Sequence, residues 1–208
     1  MMWRALLLGL ALLAACGSAQ AGAQREPDLS AAMRAALSGQ IAEGLAQTPQ
    51  FSDPARLVGY LMWVAAESAR LRQRIPDRLV RENLLQTIWY EATRAGLEPA
   101  LVLGLIQVES GFNKYAISRA GAIGLMQVMP FWTHLLGSGN PEQLLRMRVN
   151  LRYGCVILRH YIDQEHGNLF YALGRYNGSR GQSAYPDAVL SARRRWEVPA
   201  RELQLAGR

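Results

Sequence analysis

Apolar residues recur at helical spacing along most of the chain, and short polar, glycine or proline segments separate these stretches. No convincing run alternates apolar and polar residues with a period of two, so the pattern does not predict a sheet. We therefore expect a mainly α-helical fold. The predicted helices span about residues 29–47, 54–74, 78–95, 99–109, 130–136, 149–166, 168–175 and 185–196, with a further short one from Pro141.

Capping residues and the spacing of apolar residues define the ends and inward faces of these helices. Asp28 is a plausible N-cap for the first helix, and Asp53-Pro54 supplies a cap and a proline at the first helical position of the second. The predicted inward faces are Met33, Leu37, Ile41 and Leu45 in the first helix, Leu57, Leu61, Val64 and Leu71 in the second, and Leu151, Cys155, Leu158 and Ile162 in the long helix near residue 155.

Composition sets the broad class of the protein. The chain has 208 residues, of which 50% are hydrophobic and 19% are charged, and this favours one folded domain with a helical appendage. Only Cys16 and Cys155 are present, which excludes a disulfide scaffold and a cysteine-based zinc cluster. The three histidines (His134, His160 and His166) lack metal-ligand spacing, so we predict no metal and no cofactor.

The net charge of +7 comes almost entirely from arginine, because Lys114 is the only lysine. A basic surface favours an anionic partner, such as a nucleic acid, an acidic membrane or an acidic polymer. Charge alone does not choose among these classes.

The first residues resemble an export signal. A short positive start at residues 1–4 is followed by an apolar run at residues 5–15, which is shorter than the roughly 20 residues that a membrane-spanning helix needs. Leu13-Ala14-Ala15-Cys16 resembles a bacterial lipobox, which would make Cys16 a lipidated mature N-terminus. The alternative is ordinary cleavage after Ala19-Gln20-Ala21. Either route predicts a periplasmic protein, anchored to the outer membrane if Cys16 is lipidated, and disfavours a nucleic-acid partner.

The predicted helix at residues 99–109 ends with a candidate acid. Glu109 lies four residues after Leu105, so its carboxyl group begins near the apolar interior. Burial would raise the pKa of this carboxyl and keep its proton near neutral pH, as a general acid requires. The alternative is an ordinary solvated glutamate at the end of a helix.

The segment from Glu109 to Pro130 resembles the signature of the lytic transglycosylases of the soluble (SLT) family, in the lysozyme superfamily. The family pattern is Glu-Ser, a small loop, Ser-x-x-Gly-Ala-x-Gly-Leu-Met-Gln and a later Tyr-Asn. The likeness extends over about residues 79–196. It departs from the pattern at Lys114, where the family often has proline, and at Arg175, where it usually has alanine. The matching residues are Glu109, Ser110, Ser118, Gly121, Ala122, Gly124, Leu125, Met126, Gln127, Tyr176 and Asn177.

The resemblance implies a lysozyme-like domain that acts on peptidoglycan glycan strands with Glu109 as a single general acid and base. It implies cleavage of the β-1,4 bond between N-acetylmuramic acid and N-acetylglucosamine, giving 1,6-anhydromuramyl ends. Tyr176 would hydrogen-bond near Glu109 or orient the glycan, and Gln127 would contact a sugar acetamide. Met126 would be an apolar wall of the cleft or a core methionine. The expected substrate-binding residues are Ser110, Ser118, Gly124, Leu125, Met126, Gln127, Tyr176 and Asn177.

Two other functions fit the same residues. One is hydrolysis by a muramidase, and the other is a non-catalytic module for wall binding or secretion. The expected organisation is a signal peptide at residues 1–21, a linker and helical extension at 22–77, a catalytic domain at 78–197 and a polar tail at 198–208.

Overall fold

A computed structural model describes residues 24–42, 49 and 51–198 of the chain. The lipobox cysteine Cys16 and the predicted signal peptide lie outside these residues. The described part is helical, with isolated bridges in one loop and no strand, so the mainly α-helical class with an N-terminal helical extension is confirmed. The helices are α1 (Ala31–Ala42), α2 (Pro54–Leu71), α3 (Arg78–Arg94), α4 (Pro99–Glu109), α5 (Phe131–Leu136), a 3₁₀ helix (Pro141–Leu145), α6 (Met147–Gln164), α7 (Leu169–Asn177) and α8 (Ala184–Trp196).

Helix α1 begins later than predicted, and its cap is different. The side-chain oxygen of Ser30 accepts a hydrogen bond from the backbone N–H of Met33 at 3.2 Å, so Ser30 rather than Asp28 caps the helix. Leu37 is buried as expected, whereas Met33 is 41% exposed. The structure describes the helix as far as Ala42, and the rest of the predicted segment lies outside the described residues.

Helix α2 starts as predicted, and its predicted inward face is buried in part. Asp53 accepts a hydrogen bond from the N–H of Ala55, and Pro54 occupies the first turn. Leu71 is fully buried and Val64 is partly buried against the core, as expected, whereas Leu57 and Leu61 are exposed. The helix also buries Trp63, whose ring lies 5.0 Å from that of Trp89 on α3. The larger aromatic surface gains more from burial than a leucine would, which accounts for the inward position of Trp63.

Helix α4 lies in the centre of the core and carries Glu109 at its end. Its residues from Leu101 to Ile106 are all buried. Helix α8 approaches it at Gly104, where an added Cβ would come within 2.9 Å of the Cα of Arg193, so only glycine permits this approach. The predicted inward face of α6 is confirmed, and the thiol of Cys155 on that face is buried and free. Glu109 therefore lies at the end of a buried helix, next to α8 and to the loop that follows α4.

A buried ion pair joins α3 to α6. Arg152 donates to the two carboxylate oxygens of Glu91 at 2.5 and 3.0 Å, and both side chains are about 1% exposed. Arg152 also reaches the backbone oxygen of Gln40 at 3.3 Å, and Arg94 reaches the same oxygen at 3.0 Å. These contacts attach α1 to the domain.

None of the helices formed by residues 24–42 and 51–198 combines the length and the apolar character that crossing a bilayer requires.

We expect Arg152→Met to lower the free energy of unfolding by about 3–5 kcal/mol, because it leaves the carboxylate of Glu91 buried without its main partner. Urea denaturation measures the change. The matched control is Arg78→Met, which removes an exposed pair with Glu82 and should cost less than about 1 kcal/mol. Equal losses in the two variants would contradict the role given to the buried pair.

Candidate active site

The carboxyl group of Glu109 is sheltered at the end of α4. Its Oε1 atom accepts a hydrogen bond from the hydroxyl of Tyr185. Its Oε2 atom is buried and has no hydrogen-bond partner among the described residues. Burial raises the pKa of Glu109 to about 8, and the hydrogen bond from Tyr185 opposes part of that rise. The group therefore holds its proton at neutral pH, which is the protonation state that a general acid needs.

Tyr185 was missed in the sequence analysis. It lies in the first turn of α8, 76 positions from Glu109, and its side chain is buried. Burial, and next the charge of Glu109, raise its pKa well above the ordinary value, so the hydroxyl remains a donor. No local pattern marks this tyrosine, since only the approach of α8 to α4 brings it to the acid.

Tyr176 lies close to the acid but does not bond to it. Its hydroxyl donates to the backbone oxygen of Met126 at 2.7 Å. Burial raises the pKa of Tyr176, and the nearby charge of Glu109 raises it further. Asn177, the last residue of α7, is also buried. Helix α7 therefore attaches the glycine-containing loop to the region of the acid.

The glycine-containing loop, residues 110–128, folds back onto the end of α4. The hydroxyl of Ser110 donates to the backbone oxygen of Leu125 at 2.8 Å. The side-chain amide nitrogen of Gln127 donates to the backbone oxygens of Ala116 and Gly124 at 3.2 and 2.9 Å. This nitrogen thus holds the loop rather than pointing at a ligand. Gln127 also has a positive φ of 46°, which is unusual for a residue other than glycine.

Other predicted residues of the loop shape its turns or fill the core. Ser118 accepts a hydrogen bond from the N–H of Ala122 at 3.0 Å. Leu125 and Met126 are fully buried, and the side chain of Met126 fills the space beside Gly154 of α6. The structure therefore favours the core alternative for the Met126 side chain over the cleft wall.

Asn150 of α6 is a second residue that the sequence analysis missed. Its side chain is buried and makes three hydrogen bonds: it accepts from the N–H of Met126 at 2.8 Å and donates to the oxygens of Ile123 and Leu144 at 2.8 and 3.0 Å. It also lies directly against Gly124, where an added Cβ would collide with the Asn150 amide. Gly124 has a φ of 79°, a conformation that favours glycine. One amide thus positions the turn at residues 123–126.

Residues 86–194, more than half of the chain, match the family model described as Transglycosylase SLT domain. The chain belongs to the SLT transglycosylase family. This membership agrees with the family resemblance of the motif from Glu109 to Gln127.

Several proteins of known name are similar to parts of this SLT-family chain. Membrane-bound lytic murein transglycosylase C of Actinobacillus pleuropneumoniae is 52% identical over 61 residues, which are 29% of this chain and 14% of that protein. The Transglycosylase of Enterobacteria phage PRD1 is 33% identical over 112 residues, 50% of this chain and 41% of that protein. The chain thus matches less than half the length of each of these relatives.

One solved structure, an inactive variant of the lytic transglycosylase Slt from Pseudomonas aeruginosa, is 23% identical. The likeness covers 74% of this chain and 29% of that one, with a TM-score of 0.43.

We expect Asn150→Asp to lower the free energy of unfolding by about 3 kcal/mol and to loosen the loop. The aspartate keeps an acceptor for Met126 but loses both donors and places its oxygen against two carbonyl groups. Thermal unfolding and hydrogen exchange at residues 110–128 measure the effect. Asn83→Asp, at an exposed position on α3, is the control. Unchanged exchange in the loop of the Asn150 variant would contradict the prediction.

The buried acid also predicts how stability depends on pH. Because the pKa of Glu109 is about 8 in the folded state and near 4.5 when unfolded, the unfolded chain loses this proton first. Stability should therefore fall as the pH rises from about 4.5 to 8. Glu109→Gln should remove that loss, so its stability relative to the wild type should rise by about 2–5 kcal/mol between these limits.

Urea denaturation at a series of pH values measures this difference. Tyr185→Phe removes the hydrogen bond that lowers the pKa of Glu109, so that pKa should rise further. Stability should then continue to fall to a higher pH than in the wild type. A wild-type curve parallel to that of Glu109→Gln would mean that the carboxyl is solvated.

Proposed function

We propose that this SLT-family protein is a peptidoglycan lytic transglycosylase that cleaves the β-1,4 bond between N-acetylmuramic acid and N-acetylglucosamine. The observation that carries the proposal is the environment of the Glu109 carboxyl: its Oε1 atom accepts from Tyr185, its Oε2 atom is buried, and burial raises its pKa to about 8. The family match supports it, and so do the names of two relatives, a lytic murein transglycosylase and a phage transglycosylase.

In the first step, Glu109 transfers its proton to the glycosidic oxygen as the bond from that oxygen to C1 of the muramyl unit breaks. Because Oε1 accepts the hydrogen bond from Tyr185, the acidic proton resides on Oε2. The N-acetyl group of the substrate stabilises the positive charge that develops at C1.

In the second step, the carboxylate of Glu109 takes the proton of the C6 hydroxyl while O6 attacks C1. This forms the 1,6-anhydro bond, returns the proton to Glu109 and consumes no water. Tyr185 remains protonated because of its raised pKa, and its hydroxyl stabilises the carboxylate between the two steps.

The surroundings of Glu109 support a mechanism with one carboxylate. A hydrolase with two carboxylates would bring a second acidic group about 5–9 Å from the first. The hydrogen bond to Oε1 of Glu109 comes from Tyr185, and the sequence between Glu109 and Glu142 contains no acidic residue. Substrate assistance by the N-acetyl group is the known route for such a site.

We still propose substrate-binding roles for the loop and α7, because both lie near the acid. The backbones of Gly124, Leu125 and Met126 form the turn next to Ser110, and the hydroxyl of Tyr176 contacts this turn from α7, where Asn177 is the next residue. Peptidoglycan glycan strands are the proposed partner. We also retain residues 78–197 as the proposed catalytic domain, within which the family match lies.

We further propose a periplasmic location, with Cys16 as the site of a lipid anchor. The basis is the lipobox-like segment, together with the name "membrane-bound" that several relatives carry. An anchored enzyme would be held beside the wall polymer.

The proposed chemistry predicts the products released from purified sacculi. The wild-type protein should release 1,6-anhydromuramyl ends, and Glu109→Gln, which keeps the size but lacks the proton, should lower their yield by about 10²–10⁴-fold. Mass spectrometry of the fragments measures both. The wild-type rate should also fall as the pH rises through about 8, where Glu109 loses its proton.

Glu142→Gln, at an exposed glutamate of the 3₁₀ helix, is the matched control and should retain wild-type activity. Reducing ends that have gained water would instead identify a hydrolase. Binding to sacculi without any cleavage would identify a wall-binding module. Equal yields from Glu109→Gln and the wild type would exclude Glu109 as the acid.

A further inference from the structure

Three large side chains project from the loop that follows Glu109. Tyr115 is 62% exposed and Ile117 is 65% exposed. The ammonium nitrogen of Lys114 lies 4.5 Å from the centre of the Tyr115 ring. We call Lys114, Tyr115 and Ile117 the rim cluster. Two exposed apolar side chains close together along one loop, next to an ammonium group, offer a contact surface to a ligand.

The backbone beneath the rim cluster is fixed. The N–H of Tyr115 donates to the side-chain oxygen of Asn113 at 3.0 Å. The backbone oxygen of Ala116 accepts from the N–H of Gly124 at 2.8 Å and from the side chain of Gln127. Ile117 also pairs with Ile123 in an antiparallel bridge. The cluster is therefore preorganised, and a ligand would not have to order this loop on binding.

The rim cluster belongs to the same loop as the site of the acid. The N–H of Asn113 donates to the backbone oxygen of Ser110 at 3.1 Å, which turns the chain back immediately after Glu109. Ser110 in turn holds the turn at Leu125. The rim cluster therefore begins five residues after the acid, in a loop that is tied to the end of α4.

The chemistry of the cluster suits one part of the proposed substrate. A pyranose ring presents C–H groups on its faces, and an exposed aromatic ring and a branched aliphatic chain offer a matching apolar surface. The ammonium group of Lys114 adds a positive charge at the edge of that surface, where it can meet a carboxylate of a peptide stem.

We propose that the rim cluster is a subsite for a peptide-bearing sugar of the glycan strand, in which Tyr115 and Ile117 contact the sugar face and Lys114 pairs with a carboxylate of the peptide stem. This inference rests on the proposed function, because it takes peptidoglycan as the substrate. It assigns Lys114 a role in recognising the stem.

The test measures binding in the Glu109→Gln background, which keeps the glycan intact. The probes are soluble peptidoglycan strands that carry peptide stems and the same strands stripped of peptides by an amidase. Tyr115→Ser should weaken binding of both strands by about three- to tenfold, and Tyr115→Phe should restore it. Lys114→Met should weaken binding of the peptide-bearing strands only.

Tyr171→Ser is a closely matched control, because Tyr171 is also exposed and has Arg180 4.6 Å from its ring centre. It should leave both affinities unchanged. Affinities within about twofold of the background for both Tyr115→Ser and Lys114→Met would overturn the subsite. A loss as large in Tyr171→Ser would overturn it too, since the effect would then be a general property of exposed tyrosines.

Two results separate this inference from the proposed function. If the wild-type protein forms no anhydro ends from sacculi but binding depends on Tyr115, the proposed chemistry fails and the subsite stands. If sacculi are cleaved to anhydro ends but the variants bind as the background does, the subsite fails and the proposed function stands.

Discussion

The carboxyl of Glu109 has a hydrogen-bond donor on one oxygen and, within the described part of the chain, no partner on its buried second oxygen, and the rest of the site depends on this asymmetry. A second donor would stabilise the carboxylate and lower its pKa, whereas full exposure would let water do the same. Tyr185 fixes the direction of the group without removing its proton at neutral pH. The arrangement is therefore suited to giving up a proton and accepting one back.

Such an arrangement needs rigid surroundings, because a mobile loop would admit water to the carboxyl. The three hydrogen bonds of Asn150 and the bond from Tyr176 to Met126 secure the loop from two different helices. The close approach at Gly104 does the same for α8, which carries Tyr185. The candidate acid is thus enclosed by elements whose own positions are set by buried contacts.

The sequence revealed the parts of this site that are continuous along the chain. Helical spacing located α4 and its end at Glu109, and the motif identified the loop that follows. It did not reveal Tyr185 or Asn150, because their partners lie 76 and 24 positions away and only tertiary packing brings them together. The predicted face of α2 was right at Leu71 but wrong at Leu57 and Leu61 for a related reason, because packing against Trp89 buries Trp63 instead.

The same distinction explains why the residues of the loop and of α7 divide into two groups. Ser110, Gln127 and Tyr176 use their polar atoms to hold the loop, and Met126 fills the core, so these side chains build the site rather than project from it. The side chains that do project, at positions 114, 115 and 117, are free of that structural task. A change there alters the surface offered to a ligand without disturbing the acid. Differences in substrate preference between proteins with this loop would therefore be expected to arise at its rim.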